Sequence, residues 1–479
     1  MNHPIRDRTA GFTTALALAC FGLAPGFSAP ALAVAEANAA IVGVFAGHGS
    51  AFAVTAAGQA YAWGANSEGQ LGIGSTATQN QPVLIPNLTG IAQMASGPHH
   101  TLAVTAAGDV YAWGSNDIGQ LGLGTTVASP SPRRVPGLAK VTQVAVGDSS
   151  SFALTADGAV YAWGAGGTGR LGTGSSVDRA APTRLAGIAP VAQISTSNLH
   201  SLAVTRTGQV YAWGLGMNGR LGSGEDDNSR APQLVPGLTG ITRVAAGASS
   251  SYAVDSSGAV YAWGGNDRGQ LGLGTASATD RWTPAKLTLP AAADVVAGVN
   301  HAAARTRTGQ VFAWGANDRG QAGSGTVGAT PQWAPLAVAL PATARQIAAG
   351  DLHTLALAAD GQVYGWGANA LGALFAPACG GSGSEEDTDE DDEDYDEDDE
   401  DEGDGASGAC ATDKAQPVAL MKPRPPAQTL ICMRASADED DEAAEECDYE
   451  DDDEGTCQPE HRVLFGKGAR GAKPTILVV

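Results

Sequence analysis

The sequence predicts an all-β fold, a seven-bladed β-propeller of four-stranded blades, and three observations carry that expectation. Tyr61-Ala62-Trp63-Gly64 returns as Tyr111 to Gly114, Tyr161 to Gly164, Tyr211 to Gly214, Tyr261 to Gly264, Phe312 to Gly315 and Tyr364 to Gly367, with the seven tryptophans 50, 50, 50, 50, 51 and 52 residues apart. The 479 residues include 65 Gly and 25 Pro, a density of turns that long helices do not tolerate. Apolar residues alternate with period two, as in Phe152 and Leu154 followed by Val160 and Ala162 around the turn Asp157-Gly158, and helical spacing of three and four is not found.

Each period reads as four short strands. A Pro-led stretch (Pro82 to Ile85) comes first, then one ending in Gly (Ile91 to Gly97), then Thr101 to Val104, a turn at Ala107-Gly108, the Trp strand, and Gly119-Gln120-Leu121-Gly122. Gly stands where the chain reverses, and Pro opens an edge strand that needs no donor. Such units cannot bury both faces alone, so they must stack radially. The first repeat begins at about Ile41 without a Pro-led strand, while Gln416 to Leu420 is a Pro-led stretch without a repeat, so 416–421 is expected to complete the first blade and close the ring. An alternative has eight blades: Gln428 to Ile431, Val463 to Gly466 and Lys473 to Ile476 resemble pieces of a degenerate last blade, with Pro474 to Val479 closing the ring.

The flanks differ from the body. Residues 1–35 read as a signal peptide: Arg6 and Arg8, an apolar run from Gly11 to Phe27, and small-residue cleavage sites around Ala33 and Ala35. Export implies a secreted, periplasmic or cell-envelope location, with lipid anchoring at Cys20 as a minor alternative. No later segment has the length of a membrane span. Propeller repeats occupy 36–378. Residues 1–378 hold 18 acids and 19 bases and 379–479 hold 32 acids and 8 bases, so the formal charge of −23 belongs to the tail. A neutral body with an acidic tail excludes nucleic acid as a partner.

The tail divides into an acidic insert at 379–415, the expected ring-closing strand and a repeat-like remnant at 416–437, a second acidic insert at 438–458, and repeat-like strands at 459–479. Glu385 to Glu402 carries 16 carboxylates in 18 residues and Asp438 to Glu454 carries 13, compositions that do not fold alone. Cys379 and Cys410 bracket the first run, Cys447 and Cys457 bracket part of the second, and Cys432 is left over. These are candidate disulfide cysteines in an oxidising compartment, with connectivity open. Weak Ca²⁺ collection is a second use of the inserts, although the turn spacing of a defined calcium loop is absent.

The seven copies of the Trp-Gly strand, followed by Asn-x-x-Gly-Gln-Leu-Gly-x-Gly at Asn66 to Gly74, Asn116 to Gly124 and Asn266 to Gly274, resemble the repeats of the regulator of chromosome condensation family over about 41–376. The resemblance implies a seven-bladed propeller. By analogy with the family's founding member it also offers, as an alternative function, guanine nucleotide exchange on a small GTPase such as Ran.

Candidate sites are sparse. His100, His200, His301 and His353 share one repeat position, where Ser50, Ser150 and Ser250 stand in the other blades. Equivalent positions on different blades do not converge as a tetrahedral metal site requires, so these rings are expected to bond neighbouring backbone, and no metal or other cofactor is assigned. Gly164 to Gly169 and Gly214 to Gly219 fit G-x-G-x-x-G but lead into a Leu-Gly turn rather than a helix, which removes the dinucleotide reading. No nucleophile and base set stands out, so no catalytic residue is named. Trp282 and Trp333 are the only tryptophans outside the repeat pattern. With Asp280 and Arg281 they form a candidate partner-binding set, whereas a purely structural role would have each Trp cap the edge of its own blade. The reading is an exported, non-enzymatic propeller that recognises a protein through one loop face; calcium binding or an unidentified enzymatic module are further alternatives.

Overall fold

The computed structural model describes residues 40–274 and 276–374, together with the backbone of 414–421. Seven antiparallel four-stranded sheets account for all of its strands. In the first blade these are β1 (Ile41–Ala46), β2 (Ser50–Thr55), β3 (Ala60–Gly64) and β4 (Gln79–Leu84), paired in chain order. The innermost strands of the seven blades line an axial channel of about 400 Å³. The described residues thus contain seven blades.

The ring-closing expectation is corrected. The Pro-led strand is the last strand of its blade: β4 folds back onto β3 through Tyr61↔Leu84 and Gly64↔Gln79. The first blade therefore lacks nothing. It is the seventh Trp strand, Val363–Gly367, that has no Pro-led strand directly after it, and Lys414–Met421 pairs with it through Gly367↔Lys414 and Val363↔Met421. The cause is the loop after each Trp strand, which reverses the chain onto the strand just completed. Closure then comes from packing: Gln346 Nε2 donates to Val44 O at 2.7 Å, and Val44 N donates to Gln346 Oε1 at 3.1 Å. The same carboxamide clasp joins Gln93 to Val144, Gln143 to Ile194 and Gln193 to Val244.

Between blades lies the core. All seven repeat tryptophans are fully buried, each among the Val, Leu and Ile side chains of the blade before its own. Each buried indole also satisfies its donor on a loop of the preceding blade: Trp113 Nε1 donates to Gln70 O at 2.8 Å, Trp163 to Gln120 O at 2.9 Å, and Trp63 to Ala373 O at 2.8 Å across the closing seam. Gly122 shows why glycine follows that carbonyl. Its φ is +71°, and a Cβ there would lie 2.6 Å from Trp163 Nε1.

Candidate functional site

The four histidines sit on the second strand of their blades and are buried. Three of them reach hydroxyl groups of the next blade: His100 Nε2 lies 2.7 Å from Ser151 Oγ, His200 Nε2 2.8 Å from Ser251 Oγ, and His301 Nε2 2.9 Å from Thr354 Oγ1. Ser151 and Ser251 in turn donate to the loop carbonyls of Gln120 and Arg220 that also accept the indole bonds. The hydroxyl proton is thereby committed, so Nε2 carries the histidine proton. Burial lowers the pKa of His100 and His200 to about 3 and that of His301 and His353 to about 4. These neutral rings key one blade to the next. Among the described residues no three metal-ligating side chains gather into a site. His353 Nε2 has no partner because the first blade offers Ala51 at the hydroxyl position.

The loops after the Trp strands and the turns after the innermost strands share one face. Trp282 and Trp333 lie on it, at the starts of the outermost strands Arg281–Lys286 and Gln332–Val338. Each covers a glycine in the loop of the preceding blade, not the edge of its own blade. A Cβ on Gly219 would lie 2.6 Å from Trp282 Cα, and one on Gly269 would lie 3.0 Å from Trp333 Cε3. The two indoles thus straddle consecutive seams, Trp333 half-buried and Trp282 45% exposed, with Met217 exposed beside the same loop. Asp280 joins the seam from within: Oδ2 accepts from Asn218 Nδ2 at 2.8 Å and Oδ1 accepts from Asn266 N at 3.0 Å. Arg281 is exposed and has no ion-pair partner among the described residues.

The third and fourth blades depart from the loop template in a compensated way. Asn66 holds its loop by donating to Ser75 O and Ala77 O and accepting from Leu71 N. Where Gly166 and Gly216 replace that Asn, the loop's far end supplies the side chain, Asp178 or Asn228, which accepts from the glycine N–H at 2.8 and 2.9 Å. Arg170 and Arg220 replace Gln70 and make the same contact across the seam, Nη1 donating to Asn198 O and Ala248 O where Gln70 Nε2 donates to Pro98 O. The G-x-G-x-x-G matches end in three-residue 3₁₀ turns, Gly167–Gly169 and Met217–Gly219, so no helix terminus receives a phosphate. The expected signal peptide at 1–35, the acidic runs at 385–402 and 438–454 and all six cysteines lie outside the described residues. Among the described residues no helix is long and apolar enough to cross a membrane.

Seven Trp-centred blades keyed by loop carbonyls define a repeat propeller with one structured loop face. The sequence model of the RCC1-like domain matches residues 25–191 and 186–397, well over half of the chain, and the chain belongs to that family. The human regulator of chromosome condensation is 38% identical over 91 residues, which is 18% of this chain and 21% of that protein. Its Drosophila melanogaster counterpart is 37% identical over 79 residues, 16% of this chain and 14% of that protein, so the match spans about a fifth or less of either relative. Among solved structures, human WBSCR16 is similar with a TM-score of 0.61 and 27% identity, over 66% of this chain and 87% of that one. Prp20p from Saccharomyces cerevisiae, described with its binding to Gsp1p and histones, has a TM-score of 0.64 and 23% identity over 77% of this chain and 87% of its own.

Ala51→Ser places a hydroxyl between His353 Nε2 and Ala373 O, the arrangement that Ser151 already has, and is expected to raise the unfolding free energy by about 1 kcal/mol in urea titration; lower stability would contradict the keying role. The same rings set a pH dependence. Above the ordinary value of 6.5 both folded and unfolded states are neutral, and as pH falls below it the unfolded chain takes up protons that the folded chain, at about 3 to 4, refuses. Each ring should cost about 2 kcal/mol by pH 5, so the urea midpoint should fall steeply from pH 7.5 to 5. His48 acts in the opposite sense, its pKa raised by the hydrogen bond to Asp351 at 2.5 Å, but it is a single, half-exposed group. A flat midpoint over that range would show that the rings are not held neutral.

Proposed function

We propose that this chain is an exported, non-enzymatic propeller that binds a protein partner through the loop face carrying Trp282 and Trp333. The observation that carries the reading is the pair of off-template indoles on consecutive seams of one face, Trp282 45% exposed and flanked by Met217 at 53%. Aromatic and Met side chains of this kind are the ones enriched in protein interfaces, and a rigid ring of blades presents them without an ordering cost. Prp20p, which shares the fold, is described as binding Gsp1p and histones, so the architecture serves protein recognition elsewhere. Residues 1–35 supply the argument for export, and the acidic inserts are read as modulators of contact.

The test is a pull-down from the extracytoplasmic fraction with the full chain, beside Trp282→Ala/Trp333→Ala and a deletion of 380–411. The proposal expects a partner retained by the wild type and lost at least tenfold with the Trp pair. Loss with the deletion alone moves recognition to the acidic insert, and retention by the Trp variant overturns the loop-face assignment.

A further inference from the structure

Between the fourth, fifth and sixth blades the loop face opens into a half-enclosed cleft of about 440 Å³, whose polar lining is Asn198, Asn218, Arg220, Ser249, Asp267, Asp280 and Asn300. Its volume lies within the ~300–1,000 Å³ of small-molecule sites. Several of these groups are already occupied. Arg220 donates from Nε to Met217 O at 2.8 Å, from Nη1 to Ala248 O at 2.8 Å and from Nη2 to Asn218 Oδ1 at 3.1 Å. Asp280 holds Asn218 and Asn266, as described above. What remains is specific: the half-buried carboxamides of Asn198 and Asn300 have no hydrogen-bond partner among the described residues, and Asp267 uses only Oδ1, accepting from Gln270 Nε2 at 2.6 Å. Both asparagines stand on the turn after an innermost strand, and no other blade carries Asn at either position.

We propose that this cleft binds a neutral saccharide ring. Each free carboxamide offers one acceptor and two donors in a plane, the complement of a pair of neighbouring hydroxyls, and Asp267 adds an acceptor. Charge disfavours an ionic ligand: an anion would meet Asp267 and Asp280, and a cation would meet Arg220, with Arg268 and Arg281 adjacent in the chain. An extended peptide would need a row of partners along a groove, whereas the free groups here border a single pit. The inference requires the cleft and no partner protein, so it stands or falls apart from the protein-binding reading.

The test is calorimetric titration of the full chain with four trisaccharides: tri-N-acetylglucosamine, cellotriose, maltotriose and mannotriose. At least one is expected to bind with a Kd below about 1 mM. Asn198→Ala/Asn300→Ala removes no side-chain hydrogen bond of the fold, so it should weaken binding at least tenfold, about 1.4 kcal/mol, with an unchanged melting temperature. Asp360→Asn, on a turn between the second and third strands of the seventh blade, should leave binding unchanged. Failure of all four sugars to bind at 10 mM overturns the proposal, as does binding that survives the double substitution. Loss of a captured protein with that substitution while no sugar binds would assign the cleft to protein recognition and equally overturn it.

Discussion

One main-chain carbonyl per blade organises this propeller. Gln70, Gln120, Arg170, Arg220, Gln270, Gln321 and Ala373 each present it to the indole N–H of the following blade, at 2.7–3.1 Å. A buried indole donor left unpaired would be costly, so the loop has to cross the seam wherever the Trp is used as core. From this follow the glycine that lets the loop approach the ring, the Asn that ties the loop's ends, and the hydroxyl of Thr101, Ser151 or Ser251 that shares the same acceptor. Each blade is thus completed by its neighbour. The closing seam between the seventh and first blades needs no shared strand because Ala373 serves Trp63 like any other loop.

The departures from the repeat respect that constraint. In the third and fourth blades the side chain that holds the loop moves from its beginning to its end, and Arg takes over the reach of Gln, leaving the carbonyl in place. Burial lowers the pKa of both guanidiniums from the ordinary value, an effect opposed by Asp148 and Asp178 near Arg170 and by Asp226 and Asp280 near Arg220. At the outer position that covers the loop glycine, Pro130, Ala180 and Arg230 give way to Trp282 and Trp333. Trp282 stays 45% exposed in that position and Trp333 is half-buried.

Much of the fold was legible because the repeat is exact enough to count: the Trp spacing, the hairpin alternation and the Gly punctuation all reflect local geometry. Strand membership was not, since period and blade are offset by one strand; only the pairing of β4 with β3 shows that Pro82 ends a blade. The histidines' contacts with hydroxyl groups of the next blade were not foreseen, although the sequence holds a signal: His100, His200 and His301 are followed by Ser151, Ser251 and Thr354 one repeat later, and His353 faces Ala51. Asn198 and Asn300 each depart from the other blades at their position, but nothing in the sequence pairs them. They are 102 residues apart by numbering, on alternate blades, and only the curvature of the ring brings them to one cleft.

Hydrogen exchange of the indole Nε1–H groups, followed by NMR, tests the keyed-ring account most directly. The seven repeat tryptophans, Trp63 included, should exchange together at the rate of global unfolding, while Trp282 and Trp333 exchange freely. Exchange of Trp63 well ahead of the other six would show that the ring opens at its closing seam, and the claim that Ala373 keys that seam as the other loops key theirs would fail.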